Sequence, residues 1–308
     1  MSGARVWPAR RPATETPRGP DCPYRQGVPL TQVAGLAVRT WGDVSPGRPA
    51  VLALHGLTST SAVWADLAAR LPTVPVLAPD LPGRGGSVAV TAAPGLPGLA
   101  AAVVRVVDAL GLRRVVVVGH SMGAFLAPLV VRQLSERAVA VLLLDGGVPP
   151  ETSVLLRPLV VRTLFNLQLR RLLRTWADVD RYTRVAEGGA ADHRPDLHAG
   201  FRAWSEAVLE PVDGGFRPRL DARRIVADGV DSLTRPAHLP ELRQAAAPVH
   251  LLAAARGADD TRPAFLSDAA VAAGRAVLPG LTWERVQANH ATLLFEPATA
   301  SVVTDLSR

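Results

Sequence analysis

Residues 115–124 read Val-Val-Val-Val-Gly-His-Ser-Met-Gly-Ala. A serine hydroxyl is a weak nucleophile until a base takes its proton and the charge created by its attack is stabilised. Ser121 lies between Gly119 and Gly123, directly after a four-valine run that predicts a strand and directly before a helical pattern. On such a strand-to-helix turn the serine projects from a strained backbone, and the flanking glycines let the turn close. The helix that follows directs its dipole, and the backbone N–H of Met122, at a developing oxyanion. A glycine-flanked serine also arises by chance in a Gly- and Ala-rich chain. The strand before it and the helix after it favour the catalytic reading.

An oxyanion needs a second donor. The loop after the apolar run Ala50–Leu54 reads His55-Gly56-Leu57-Thr58-Ser59-Thr60, and the backbone N–H of Leu57 is the natural candidate, with Gly56 allowing a tight turn. His55 reads as a buried brace for that loop, and Thr58 and Thr60 as caps for the following helix. The base must come from one of seven histidines. His290 follows the last predicted strand and leads into the final helix, which suits delivery to one edge of a sheet. His120 belongs to the elbow, His193, His198 and His238 lie in a separate middle region, and His250 enters a strand. A third group must orient the imidazole, and strand ends offer Asp145, Asp259 and Asp260. All three satisfy the chain order serine, acid, histidine, and Asp145 also reads as a cap for the turn at Gly146-Gly147.

These groups require a frame that brings strand ends together. Short, continuous apolar runs predict strands at Leu36–Trp41, Ala50–Leu54, Val76–Pro79, Val115–Val118, Val139–Leu144, Val249–Ala254 and Leu281–Val286. Between them, helical spacing predicts Ser61–Arg70, Gly98–Leu110, Met122–Glu136, Pro263–Arg275 and Ala298–Leu306. Strand–helix alternation predicts an α/β fold, a mostly parallel sheet with helices on both faces. The alternation breaks over 147–246, where amphipathic Arg- and Leu-rich stretches predict a helical cap, or lid, inserted into a core of 31–146 and 247–308. Within the cap, Leu155–Trp176 has a pattern that suits either a pocket-lining helix or an interfacial membrane helix. Residues 1–30 carry six prolines and no periodicity, and predict a disordered tail. Arg10-Arg11 is followed by no apolar region of the length a secretory signal needs.

Apolar residues make up 48% of the 308, enough for a sizeable core. The longest uncharged apolar run, Ala138–Leu144, is far short of a membrane span. Cys22 is the only cysteine, so no internal disulfide and no cysteine-based metal cluster is possible. A reducing, cytoplasmic location is expected. The net charge of +7 comes from 34 arginines, no lysine and 27 acidic residues. It is spread as +3 over 1–30, +3 over 31–146, +2 over 147–246 and −1 over 247–308, without the clustered basic patch that nucleic-acid binding requires.

The chain resembles the α/β-hydrolase superfamily, particularly its cap-bearing esterase, lipase and carbon–carbon hydrolase branch. The resemblance is carried by His55-Gly56, Asp80-Leu-Pro-Gly83-Arg-Gly85-Gly-Ser87, Gly119-His-Ser-Met-Gly123, Gly257-Ala-Asp-Asp260, and Asn289-His290 followed by Glu296-Pro297. It implies a nucleophile at Ser121, a base at His290, oxyanion donors at Leu57 and Met122, and an acid three residues after Gly257, at Asp260. The Asp259-Asp260 pair departs from the pattern. The expected function is serine-hydrolase cleavage of an ester or related acyl bond in an apolar small molecule, with no metal or organic cofactor. The same triad also serves thioesterases, carbon–carbon hydrolases, haloperoxidases and lyases, and some relatives are catalytically silent binding proteins. A serine at the elbow argues against epoxide hydrolase or dehalogenase chemistry, whose nucleophile is an aspartate.

Overall fold

The computed structural model describes residues 28–148, 158–187, 194–234, 238–245, 247–258, 260 and 263–308. Most of the expected tail, part of the expected cap and Asp259 therefore lie outside the described residues.

In chain order the first half comprises β1 (Thr31–Val33), β2 (Leu36–Trp41), β3 (Ala50–Leu54), α1 (Ala65–Ala69), β4 (Val76–Pro79), α2 (Leu96–Ala109), β5 (Val115–His120), α3 (Met122–Leu134) and β6 (Ala138–Leu144). There follow α4 (Pro158–Leu172), α5 (Val179–Ala186), α6 (His198–Val208), β7 (Leu209–Val212), β8 (Gly215–Pro218) and α7 (Ala222–Thr234). The chain closes with β9 (Val249–Ala254), α8 (Asp268–Val277), β10 (Thr282–Val286) and α9 (Pro297–Leu306).

Eight strands form one sheet in the order β1-β2-β4-β3-β5-β6-β9-β10. Only the β1–β2 and β2–β4 pairs are antiparallel; the others run parallel. Every residue of β3, β4 and β5 is buried, which is why these strands read as unbroken apolar runs rather than alternating ones. Alternate side chains serve opposite faces. Val115 and Val117 pack on the side of α2 and α3, while Val116 and Val118 join the cluster containing Leu67 of α1 and Val303 of α9.

Strand order positions the site. The chain leaves β3 toward β4 on one side and later returns to β5 on the other, so the loops after β3 and β5 diverge over a crevice at the strands' C-terminal edge. Leu54 pairs with Gly119, His120 with Leu144 and Leu144 with Leu252, so these strand ends lie level.

Between β6 and β9 the chain forms the helices α4 to α7, which share a separate cluster including Leu169, Trp176, Tyr182, Phe216 and Ile225. Within this mostly helical segment β7 and β8 form an antiparallel hairpin. Its strands, Leu-Glu-Pro-Val and Gly-Phe-Arg-Pro, are short and Pro-containing and show no apolar alternation. The turn between them carries Asp213-Gly214, with Gly214 at φ +81°, a hairpin signal that composition alone obscured. Among the described residues no helix is long and apolar enough to cross a membrane.

Candidate active site

The elbow is built from backbone contacts that tolerate no side chain. Ser121 has φ 53° and ψ −118°, a conformation rare for a residue with a Cβ. Its N–H donates to the Leu144 carbonyl at 2.9 Å, tying the turn to β6. A Cβ at Gly119 would lie 2.2 Å from the Gly123 carbonyl oxygen, and one at Gly123 would lie 2.0 Å from the Leu54 carbonyl oxygen. The glycines at 119 and 123 are thus required for close approach. Gly56 differs: its φ is ordinary, and a Cβ there would meet its nearest neighbour, His120 Nδ1, at 3.4 Å. The expected conformational need for glycine at this position is not present.

The loop carrying Leu57 is held from beneath. His55, fully buried, donates from Nδ1 to the Gly56 carbonyl at 2.8 Å and accepts the Leu81 N–H on Nε2 at 2.9 Å. That pattern requires the neutral imidazole, and burial pushes its pKa down to about 4. Thr60 stands at the head of a 3-10 turn, Ser61–Trp64, but its hydroxyl makes no cap hydrogen bond. Asp80 supplies the acceptor instead, taking the Ser61 N–H at 2.7 Å and the Gly86 N–H at 2.8 Å. Asp80 and Arg84 were visible in the sequence only as part of a motif, with no signal for their contacts.

His290 sits in the loop after β10, with about a fifth of its side chain exposed. Its carbonyl accepts from His120 Nε2 at 2.9 Å, and the two rings lie 4.8 Å apart. Burial pushes the His120 pKa down to about 3, keeping that ring neutral. The acid partner differs from expectation. His290 Nδ1 faces Asp145 Oδ2 at 2.7 Å, and the Asp145 side chain is fully buried. The other Asp145 oxygen accepts the Ala254 N–H at 3.1 Å, and its own N–H donates to Leu252 at 2.8 Å. Asp260 instead accepts from Arg256 Nε at 2.6 Å. Strand order admits both acids, since the ends of β6 and β9 both lie between the elbow and the His290 loop; the contacts decide, with Asp145 turned to His290 and Asp260 to Arg256. With Nδ1 engaged by the carboxylate, Nε2 is the nitrogen left to act on a proton.

Ser121, His290, Leu57 and Met122 all line one cavity of about 420 Å³. Its walls are mostly apolar, with Phe125 and Leu294 from the sheet side and Phe165, Leu169, Phe201 and Trp204 from α4 and α6. The Phe265 ring lies 5.2 Å from that of His290. Among the described residues no group of three or more potential metal-ligating side chains occurs.

A mostly parallel eight-stranded sheet with a serine elbow after its central strand defines an α/β-hydrolase fold. The chain belongs to the Alpha/beta hydrolase family, whose sequence pattern matches residues 51–303, and is an enzyme of that hydrolytic class. It is similar to Lipase LipV of Mycobacterium tuberculosis, with 32% identity over 202 residues, 58% of this chain and 76% of that protein. It is also similar to the 2-succinyl-6-hydroxy-2,4-cyclohexadiene-1-carboxylate synthase of Serratia proteamaculans, with 29% identity over 231 residues, 73% of this chain and 82% of that one. Among solved structures, an E-2-(acetamidomethylene)succinate hydrolase superposes with a TM-score of 0.72 at 23% identity, covering 90% of this chain and 98% of that one, a likeness of fold.

Proposed function

We propose that this enzyme is a serine hydrolase that cleaves an ester or related acyl bond of an apolar small molecule through an acyl-enzyme. The observation that carries this reading is that His290, which lines one cavity with Ser121, is held at 2.7 Å by the buried carboxylate of Asp145. Ser121 Oγ attacks the substrate carbonyl while His290 Nε2 takes its proton. Asp145 holds the proton on Nδ1 and stabilises the imidazolium. The oxygen of the tetrahedral intermediate faces the N–H groups of Leu57 and Met122. Collapse expels the alcohol, which leaves with the proton from His290. Water, deprotonated by His290, then attacks the acyl group and releases the acid and free Ser121.

Segment 147–246 acts in this reading as a lid, since Phe165, Leu169, Phe201 and Trp204 form the cavity's outer wall. Their apolar surface suits an aryl or alkyl group on the acyl or alcohol side. No cofactor takes part, and the cell compartment is the cytoplasm.

The test is hydrolysis of p-nitrophenyl esters from acetate to palmitate, beside an acyl-thioester, with wild-type protein and Ser121→Ala. Wild type is expected to turn over esters and to be labelled by a fluorophosphonate, and the variant to lose about three orders of magnitude or more in turnover. Near-wild-type turnover by Ser121→Ala, or failure of wild type to react with either probe, would overturn the reading.

A further inference from the structure

The Arg84 guanidinium is fully buried, and besides Pro82 in its own loop its partners come from three separate parts of the chain. Nε donates to the Leu57 carbonyl at 2.9 Å. Nη1 donates to the Pro82 carbonyl at 2.8 Å and to Asp228 Oδ2 at 2.5 Å. Nη2 lies 3.5 Å from the Met122 sulfur. One side chain therefore touches both residues proposed above as oxyanion donors.

Its counterion ties this point to the segment above the cavity. Asp228 lies on α7, is also fully buried, and accepts the Gly95 N–H on its other oxygen at 2.9 Å. The next residue of α7, Gly229, and Ser232 one turn on line the cavity. Backbone bonds reinforce the join, with Gly85 N–H donating to Arg219 and Asp221 N–H to Gly83, each at 2.9 Å.

A buried ion pair is a poor stability device, because desolvating two charges offsets most of their attraction. Burial lowers the Arg84 pKa, and the Asp228 carboxylate opposes that shift. What this geometry supplies is orientation. Fixing the Leu57 carbonyl pins the Leu57–Thr58 peptide plane and so anchors, from its C-terminal side, the residue whose N–H lies in the plane before it.

We infer that Arg84 is a positioning residue of the oxyanion site, holding Leu57 and Met122 in register with Ser121 and linking that register to helix α7 through Asp228. The inference rests on the serine-hydrolase reading. Arg84 touches no reacting atom in it and acts through the two donors.

Arg84→Lys, Arg84→Met and Asp228→Asn test it, with folding followed by thermal unfolding and active molecules counted by fluorophosphonate titration. With p-nitrophenyl butyrate, kcat per titrated site is expected to fall about tenfold in Arg84→Lys and about a hundredfold in Arg84→Met, the scale of a lost oxyanion donor, while KM stays within about threefold. Asp228→Asn is expected to fall between them. The phosphonylation rate of Ser121 should fall by the same factor as kcat, which a merely structural role would not produce. If Arg84→Met does not fold, Arg84→Lys and Asp228→Asn decide. Folded variants whose kcat and phosphonylation rate stay within about twofold of wild type would overturn the inference alone. A wild-type protein that neither hydrolyses ester nor is phosphonylated would overturn the serine-hydrolase reading and this inference with it.

Discussion

Asp145 and Asp260 both stand at the end of a parallel strand or in the turn after it, and both adopt positive φ, 45° and 60°. Their surroundings separate them. Asp145 is enclosed, with one oxygen on His290 and the other on the Ala254 N–H. Asp260 keeps about a tenth of its side chain in solvent and accepts from Arg256. Asp145→Asn is therefore expected to leave the imidazole in the wrong tautomer and to lower kcat by about ten-thousandfold, as the same swap does in serine proteases. Asp260→Asn should cost less than about tenfold. Ester hydrolysis by the two purified variants decides this, and the reverse ranking would return the acid to Asp260. That Ser121 and His290 would meet at one cavity was legible in sequence because each has a local context, an elbow or a loop before the last helix. The carboxylate beside His290 could not be picked out, since several acidic residues fit the spacing and the pairing depends on how each strand-end turn directs its side chain.

At the scale of elements, the parallel core could be read from its unbroken apolar runs, and β2, β3, β4 and β9 span the residues expected of them. The hairpin β7–β8 and the three-residue β1 could not, because neither carries enough apolar or β-branched residues to set a period. The elbow is where local and global demands meet most tightly. A Cβ at Gly123 would press on backbone of β3, which has no rotamer to change, whereas one at Gly56 finds ordinary contact distances. Gly123→Ala is therefore expected to destabilise the protein by about 3 kcal/mol or more, and Gly56→Ala by less than about 1 kcal/mol. Urea unfolding of both variants checks the contrast. Equal midpoints would mean that the β3–α3 approach is looser than the structure shows.

For the molecule as a whole, the neutral rings of His55 and His120 link the architecture of the site to acid stability. Each ring sits among strand-end loops, fully or nearly out of solvent, and burial holds its pKa at about 4 and about 3 against an ordinary value of 6.5. In the unfolded chain both rings take up a proton as the pH falls through 6.5, while in the folded chain they do not until about pH 4 or below. Between those limits the unfolded state binds more protons, so stability rises with pH. Fully buried groups with these shifts each remove about 2 kcal/mol of stability at pH 5 relative to well above pH 6.5. His55 has the more specific structural consequence, because protonation would occupy the Nε2 lone pair that accepts the Leu81 N–H and would loosen the loop presenting Leu57. Denaturant unfolding at pH 5 and pH 7.5 is expected to show a stability loss on acidification that shrinks by about half in His55→Gln. An unchanged pH dependence in that variant would mean that this imidazole is not the neutral brace its two hydrogen bonds describe.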